Sequence, residues 1–203
     1  MTVLTIGHSN HPLETFLALL RQHQVAWVAD VRSSPYSGYA SQFNKEVLQN
    51  SLRAAGIGYL FLGHVLGGRP EGGQFYDAAG YVLYDRVAES SAFREGLNRL
   101  LERAQGCRLT LLCGEEDPTD CHRRRLVGRV LDRRGVSVLH IRGDGRIQSE
   151  EEVAKEEQFR KTKGQMTLFD LEEPQPWKST QSASPRKAQQ NSSSSSSGPE
   201  SGA

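Results

Sequence analysis

The residues best able to do chemistry lie in one stretch, 111–125. It begins as an apolar run, Leu111-Leu112-Cys113, and passes through an acidic loop carrying Glu115, Glu116 and Asp117. It then opens a helix on Cys121-His122-Arg123-Arg124-Arg125. A thiol at a helix start beside arginines is suited to a lowered pKa, which marks Cys121. Cys113 fits equally well as a small core residue. His122, and His8 further upstream, are the side chains able to move a proton near neutral pH. Asp30 and Glu115 are the carboxylates placed to orient a partner or act as general base. Arg32 and Arg123 offer a planar donor fork that matches phosphate or carboxylate. A structural ion pair between Asp30 and Arg32 accounts for those two residues equally well.

Several specific chemistries are excluded. A Cys-x5-Arg phosphate loop is absent, because Thr119 and Val127 stand six positions after Cys113 and Cys121. Ser9 follows a strand but lacks the G-x-S-x-G elbow of serine hydrolases. Cys113, Cys121 and His122 are metal-ligand types, yet adjacent residues on a helix diverge by about 100° and no C-x-x-C pair exists. The expectation is therefore no metal, and the sequence requires no cofactor.

These residues need a frame, and the apolar runs supply one. Residues 3–6, 25–29, 59–62, 109–112 and 136–141 read as strands. Between them fall helical patterns: Leu13, Phe16, Leu17 and Leu20; then Val47, Leu48, Leu52 and Ala55; then residues 81–87 and 93–104; then 120–134. Strands alternating with helices predict a single three-layer α/β domain with a mostly parallel sheet of about five strands. In such sheets ligands bind beyond the carboxyl ends of the strands. The polar clusters fall at those ends: His8 and Ser9; Asp30, Arg32 and Ser33; His64 and Arg69; Cys113, Glu115, Cys121, His122 and Arg123. One shared pocket is expected, with His8, Asp30, Glu115 and His122 in catalytic roles and Ser9, Arg32, Ser33, Arg69, Cys113, Cys121 and Arg123 binding substrate.

The domain is expected to span residues 1–145. Residues 146–164 read as a charged linker in which residues 150–163 form a frayed helix, and residues 172–203 as a Ser/Gln/Pro-rich tail unable to bury enough apolar surface to order itself. With 25 basic and 24 acidic residues, the net charge of +1 supplies no bulk attraction for nucleic acid. Any such attraction must be local, and the arginine-rich helix after Cys121 is the candidate, although a solvated face explains it as well. The three cysteines have no disulfide-framework spacing and read as reduced thiols of a cytoplasmic protein. No run is long and apolar enough for a membrane span.

The motifs resemble a bacterial and archaeal family known only as domain of unknown function 488. They are Thr5-Ile6-Gly7-His8-Ser9-Asn10, Asp30-Val31-Arg32-Ser33 with Pro35, Gln42-Phe43-Asn44-Lys45, Leu66-Gly67-Gly68, and Cys113-Gly114-Glu115 with Cys121-His122-Arg123-Arg124. The resemblance covers about residues 4–141 and implies a compact α/β domain without an established activity. Relatives often carry an arginine pair where this chain has Gly38-Tyr39-Ala40.

A second resemblance lies in the tail. Gln165-Met166-Thr167-Leu168-Phe169 is similar to the peptide by which bacterial DNA polymerases and repair proteins dock on the sliding clamp. Leu168 and Phe169 would anchor in an apolar groove, with Met166 beside them and Gln165 supplying amide hydrogen bonds. The combined expectation is a DNA-metabolism protein. Its pocket would hold a nucleotide or nucleic-acid phosphate and act by hydrolysis or transfer, and its tail would bind the clamp. The alternatives are an enzyme on a small anionic metabolite and a non-catalytic adaptor.

Overall fold

The computed structural model describes residues 1–162 and 176–183. In chain order the first elements are β1 (Thr2–Gly7), α1 (Leu13–Gln22), β2 (Trp27–Asp30), α2 (Lys45–Ala54), β3 (Gly58–Phe61) and α3 (Gly63–Leu66). Next come β4 (Tyr81–Leu83), α4 (Tyr84–Glu89), α5 (Ser91–Ala104) and β5 (Leu109–Cys113). A π-helical segment, Arg123–Gly128, leads into α6 (Arg129–Arg133). The described chain ends with β6 (Ser137–Ile141), β7 (Ile147–Ser149), α7 (Glu150–Lys161) and β8 (Lys178–Ser182).

The main sheet has the order β3-β2-β5-β1-β6-β7. Its first five strands are parallel, and β7 adds an antiparallel edge that the apolar pattern does not reveal. Alternation within the strands divides two cores. Val3, Ala29 and Leu111 face one side, where Phe93, Leu97 and Leu100 of α5 and Leu126, Val127 and Leu131 cover them. Their neighbours Leu4, Val28 and Leu112 face the other, under Phe16 and Leu20 of α1 and Leu48 and Leu52 of α2. Val47, whose helical spacing points inward, is instead exposed. Each fully buried Leu or Phe contributes about 1.5–3 kcal/mol, so the central strands cannot slip register. That register sets Gly7 beside Cys113 and Asp30 beside Leu112, which brings the carboxyl ends of β1, β5 and β2 side by side.

Three segments depart from the sequence-based expectation. Residues 81–83 form strand rather than helix, because β8 is available to pair with them antiparallel. Lys178–Ser182 belong to the stretch whose composition argues against order, yet Trp177 anchors them. Its indole packs edge-on to Tyr84, donates to the Arg125 carbonyl at 2.7 Å and lies 4.8 Å from each of the Arg129 and Arg133 guanidiniums. Most of the charged linker is the docked helix α7. Ser149 and Glu152 form a capping box at its start. Arg124 holds Glu150 and Glu157 at 2.7 Å each, and Arg125 reaches Glu157 at 3.2 Å. Among the described side chains of α7 only Val153 is buried, so charge rather than apolar periodicity docks it. The arginine-rich helix therefore spends Arg124, Arg125, Arg129 and Arg133 on this chain's own α7 and Trp177.

Removing the hub of that docking isolates the effect. Arg124→Ala is expected to cost about 2 kcal/mol in urea unfolding. It should also speed proteolysis and amide exchange within residues 150–161. Unchanged exchange there would mean that α7 is held by something other than these ion pairs.

Candidate functional site

At the carboxyl ends of β2, β5 and β1 lies a cleft of about 520 Å³. His8, Arg32, Ser33, Arg69, Cys113, Glu115, Cys121 and His122 all line it, so the strand-end clusters do converge. Tyr36, Ser37, Tyr84, Asp120 and residues 179–183 complete the walls. Tyr36 and Ser37 follow β2 and carry a positional signal in the sequence. Tyr84 and the β8 wall carry none, because their place depends on a long-range strand pairing. A second cleft of about 660 Å³ lies at the opposite pole, lined by Met1, Thr2, Leu4, residues 104–108 and Leu139. It is larger, but of the strand-end clusters it gathers no member.

Two glycines let the cleft close to its observed form. A Cβ on Gly7 would sit 1.7 Å from the Glu115 carbonyl oxygen, so the loop after β5 crosses β1 only because that position is bare. A Cβ on Gly68 would meet the His122 ring at 2.8 Å. The Gly67-Gly68 pair thus permits close packing over His122.

Arg32 and Asp30 turn out to be scaffold. Asp30 is fully buried and does not line the cleft. Its Oδ1 accepts from Arg32 Nε at 2.9 Å and its Oδ2 from Arg32 Nη2 at 2.6 Å and from Tyr59 at 2.8 Å. The Arg32 fork is therefore committed to Asp30. Nη2 also donates to the Phe43 carbonyl, and Nη1 donates to His8 Nε2 at 3.1 Å. The ion pair is formed, and the fork expected to grip an anion is occupied by it although Arg32 lines the cleft.

His8 is likewise occupied. Its Nδ1 donates to the Ser9 carbonyl at 2.7 Å, its Nε2 accepts from Arg32, and its ring stacks on Phe43 at 4.4 Å. Burial, together with the Arg32 charge, lowers its pKa from 6.5 to about 4. The acid–base role expected of His8 thus falls on a ring held neutral near neutral pH with both nitrogens engaged. Ser9 adopts a left-handed φ of 46° and lies outside the cleft lining; its N–H donates to Gly114. Among the strand-three residues, His64 packs near Phe61 and is not in the lining, whereas Arg69 is exposed at the rim.

Arg123 is engaged within the fold in the same way. It is fully buried beneath the loop after β5. Nη1 donates to the Glu115 carbonyl, Nη2 to the Glu116 carbonyl at 2.6 Å and Nε to Thr5 at 3.3 Å. It shapes the loop and cannot reach a ligand in the cleft. Its charge nevertheless sits below the two thiols.

Those thiols, with His122 and Glu115, are the reactive part of the site. Glu115 Oε2 lies 3.1 Å from Cys113 Sγ and 3.5 Å from Cys121 Sγ. His122 Nε2 meets the Val31 carbonyl at 2.9 Å, and Nδ1 faces Cys113 Sγ at 3.6 Å. Burial opposes charge on Cys121, but hydrogen bonding with Cys113, the Arg123 charge and His122 outweigh it and hold the pKa well below the usual thiol value. Cys113 moves the opposite way, through its hydrogen bond with Cys121 and through burial. For His122, burial is overcome by Cys121 and the Val31 carbonyl, and its pKa rises. Thiolate and imidazolium thus stabilise one another, as in activated cysteines. The divergence expected of Cys121 and His122 does not occur, because Cys121 precedes the helical turn that carries His122. The ligand atoms of Cys113, Cys121 and His122 lie within 4.8 Å of one another.

A doubly wound parallel sheet with polar side chains gathered at its carboxyl ends defines the class. Within it, the family model described as Domain of unknown function DUF488 matches residues 12–130, and the chain belongs to that family. No match is found among curated proteins or solved structures. Among the described residues no helix is long and apolar enough to cross a membrane.

The His8 environment generates a pH test. The unfolded chain takes up a proton as pH falls below 6.5, and the native ring does so only near 4. The stability held by neutral His8 is complete above the first value and lost as pH falls to the second, by about 3 kcal/mol. In denaturant unfolding from neutral pH down to pH 4, the stability gap between the wild type and His8→Gln should narrow by that amount. A gap independent of pH would show that His8 is not held neutral.

Proposed function

We propose that the cleft is an active site for the phosphate of a nucleotide or nucleic acid, acting by hydrolysis or group transfer in DNA metabolism. The observation that carries this reading is the convergence of Arg69, Ser33, Glu115, Cys121 and His122 on one polar cleft at the sheet's carboxyl pole. Arg69 is the cation placed to meet an anion. Its guanidinium has no hydrogen-bond or ion-pair partner among the described residues, and its backbone N–H is fixed by Ser33 Oγ at 2.8 Å. Glu115 supplies proton transfer at the cleft floor, with His122 holding the thiols beside it, while Asp30, Arg32 and His8 hold the walls. A volume near 520 Å³ suits a ligand of mononucleotide size. This size also fits a small anionic metabolite, whose chemistry at Arg69 would be the same.

Calorimetric titration with nucleoside monophosphates and with inorganic phosphate tests the site. Arg69→Ala is expected to weaken binding by roughly 10- to 100-fold, the loss of one charge-assisted contact, with unfolding unchanged. Equal affinity in both proteins would remove the phosphate assignment. Preference for phosphate alone over every nucleotide would favour the metabolite reading.

Recruitment to the sliding clamp rests on Gln165, Met166, Leu168 and Phe169, which lie outside the described residues. Leu168→Ala with Phe169→Ala is expected to weaken binding to purified bacterial clamp by about 2–4 kcal/mol, roughly 30- to 1,000-fold. Absence of heat between clamp and the intact chain would dispose of this part of the reading.

A further inference from the structure

We infer that Cys113, Cys121, His122 and Glu115 form a zinc site at the floor of the cleft. The inference rests on the phosphate reading for its purpose, but its evidence is separate geometry. A tetrahedral zinc with bonds of about 2.0–2.3 Å spaces its ligand atoms roughly 3.5–3.8 Å apart. Here Cys113 Sγ to His122 Nδ1 is 3.6 Å, Cys121 Sγ to Glu115 Oε2 is 3.5 Å and Cys113 Sγ to Glu115 Oε2 is 3.1 Å. Cys121 also falls within the common 4.8 Å limit of Cys113 and His122. Cys113, Cys121 and His122 thus form a compact trio, and Glu115, close to both thiols but outside that common limit, completes a tetrahedron once its carboxylate swings toward the metal.

Two further observations fit a metal better than a bare thiol pair. Ligating imidazoles characteristically donate their other N–H to a carbonyl or carboxylate, which fixes the ring. The Val31 carbonyl takes that role toward His122 Nε2 and leaves Nδ1 for the metal. Charge is the second point. Two thiolates and a carboxylate around Zn²⁺ leave one excess negative charge. Arg123, buried just below, binds carbonyls and a hydroxyl but no carboxylate among the described residues. A buried guanidinium is costly unless an anion lies near it, and the thiolates of an anionic metal centre supply one. Thiolate and imidazole donors select zinc over magnesium or calcium.

The four ligands are not equivalent. Cys113 and Cys121 are buried, whereas Glu115 is exposed toward the cleft. Glu115 is therefore the exchangeable ligand. Water or a substrate oxygen replaces it, as at a catalytic rather than a closed structural zinc.

The test is the metal content of the full chain, purified under reducing conditions without chelator, followed by cobalt substitution. About one zinc per chain is expected, and the cobalt form should show the near-ultraviolet band of thiolate-to-cobalt charge transfer. Cys113→Ser and Cys121→Ser should each lose most of the zinc and the band. Glu115→Gln should retain both with affinity weakened about 10- to 100-fold. No zinc with no cobalt band in the wild type would overturn the inference without need of any variant. So would zinc that survives both cysteine changes, which indicates an adventitious ion. Nucleotide binding measured on the same samples separates the two readings. A metal-free chain that still binds nucleotide refutes the zinc site alone, and a zinc-loaded chain that binds none refutes the phosphate assignment alone.

Discussion

The cleft depends on one buried cation. Arg123 reaches back under the loop after β5, gathers the Glu115 and Glu116 carbonyls and touches Thr5 on β1. Carbonyls at that depth must find donors, and one planar guanidinium satisfies both. The bend this imposes sends the loop across Gly7 and turns the chain toward Cys121. The π-helical segment beginning at Arg123 is the local cost of the same geometry, since a wide turn accommodates a side chain that points into the core. Everything reactive at the floor is placed by this arrangement.

The rest of the site divides into supports and free groups. Asp30, Arg32, Tyr59, Phe43 and His8 form a closed network in which almost every donor has an acceptor. Such networks rigidify when complete. The groups open toward the cleft include the Arg69 guanidinium, the Asp120 carboxylate and the Cys113–Cys121–His122–Glu115 group. Rigid walls with a few free polar groups are what an orienting pocket needs.

Much of this was legible in the sequence, for identifiable reasons. The five parallel strands follow from uninterrupted apolar runs, and their polar endings locate the cleft because a parallel sheet puts all carboxyl ends at one pole. Residue type alone could not separate scaffold from reactive groups. Asp30, Arg32, Arg123 and His8 look chemical on paper, and only burial and partner geometry show that they are engaged elsewhere. Helix α7 could be read as a frayed helix, but its docking escaped because ion pairs, not an apolar stripe, hold it. Strand β8 escaped because Trp177 is a single anchor in a polar stretch, and its value lies in contacts with Tyr84, Arg129 and Arg133 distant in sequence. The convergence of Cys121 with His122 was hidden by assuming that both lay on a helix.

The central claim is that one pole of the sheet is the ligand-binding pole. Backbone amide shifts during titration with a nucleoside monophosphate test it most directly. The account predicts saturable changes concentrated at Ser33, Arg69, Gly114, His122 and Thr180, all in the wall of the strand-end cleft. Changes gathered instead around Thr2, Gln105 and Leu139 at the opposite pole, or spread without saturation, would contradict it.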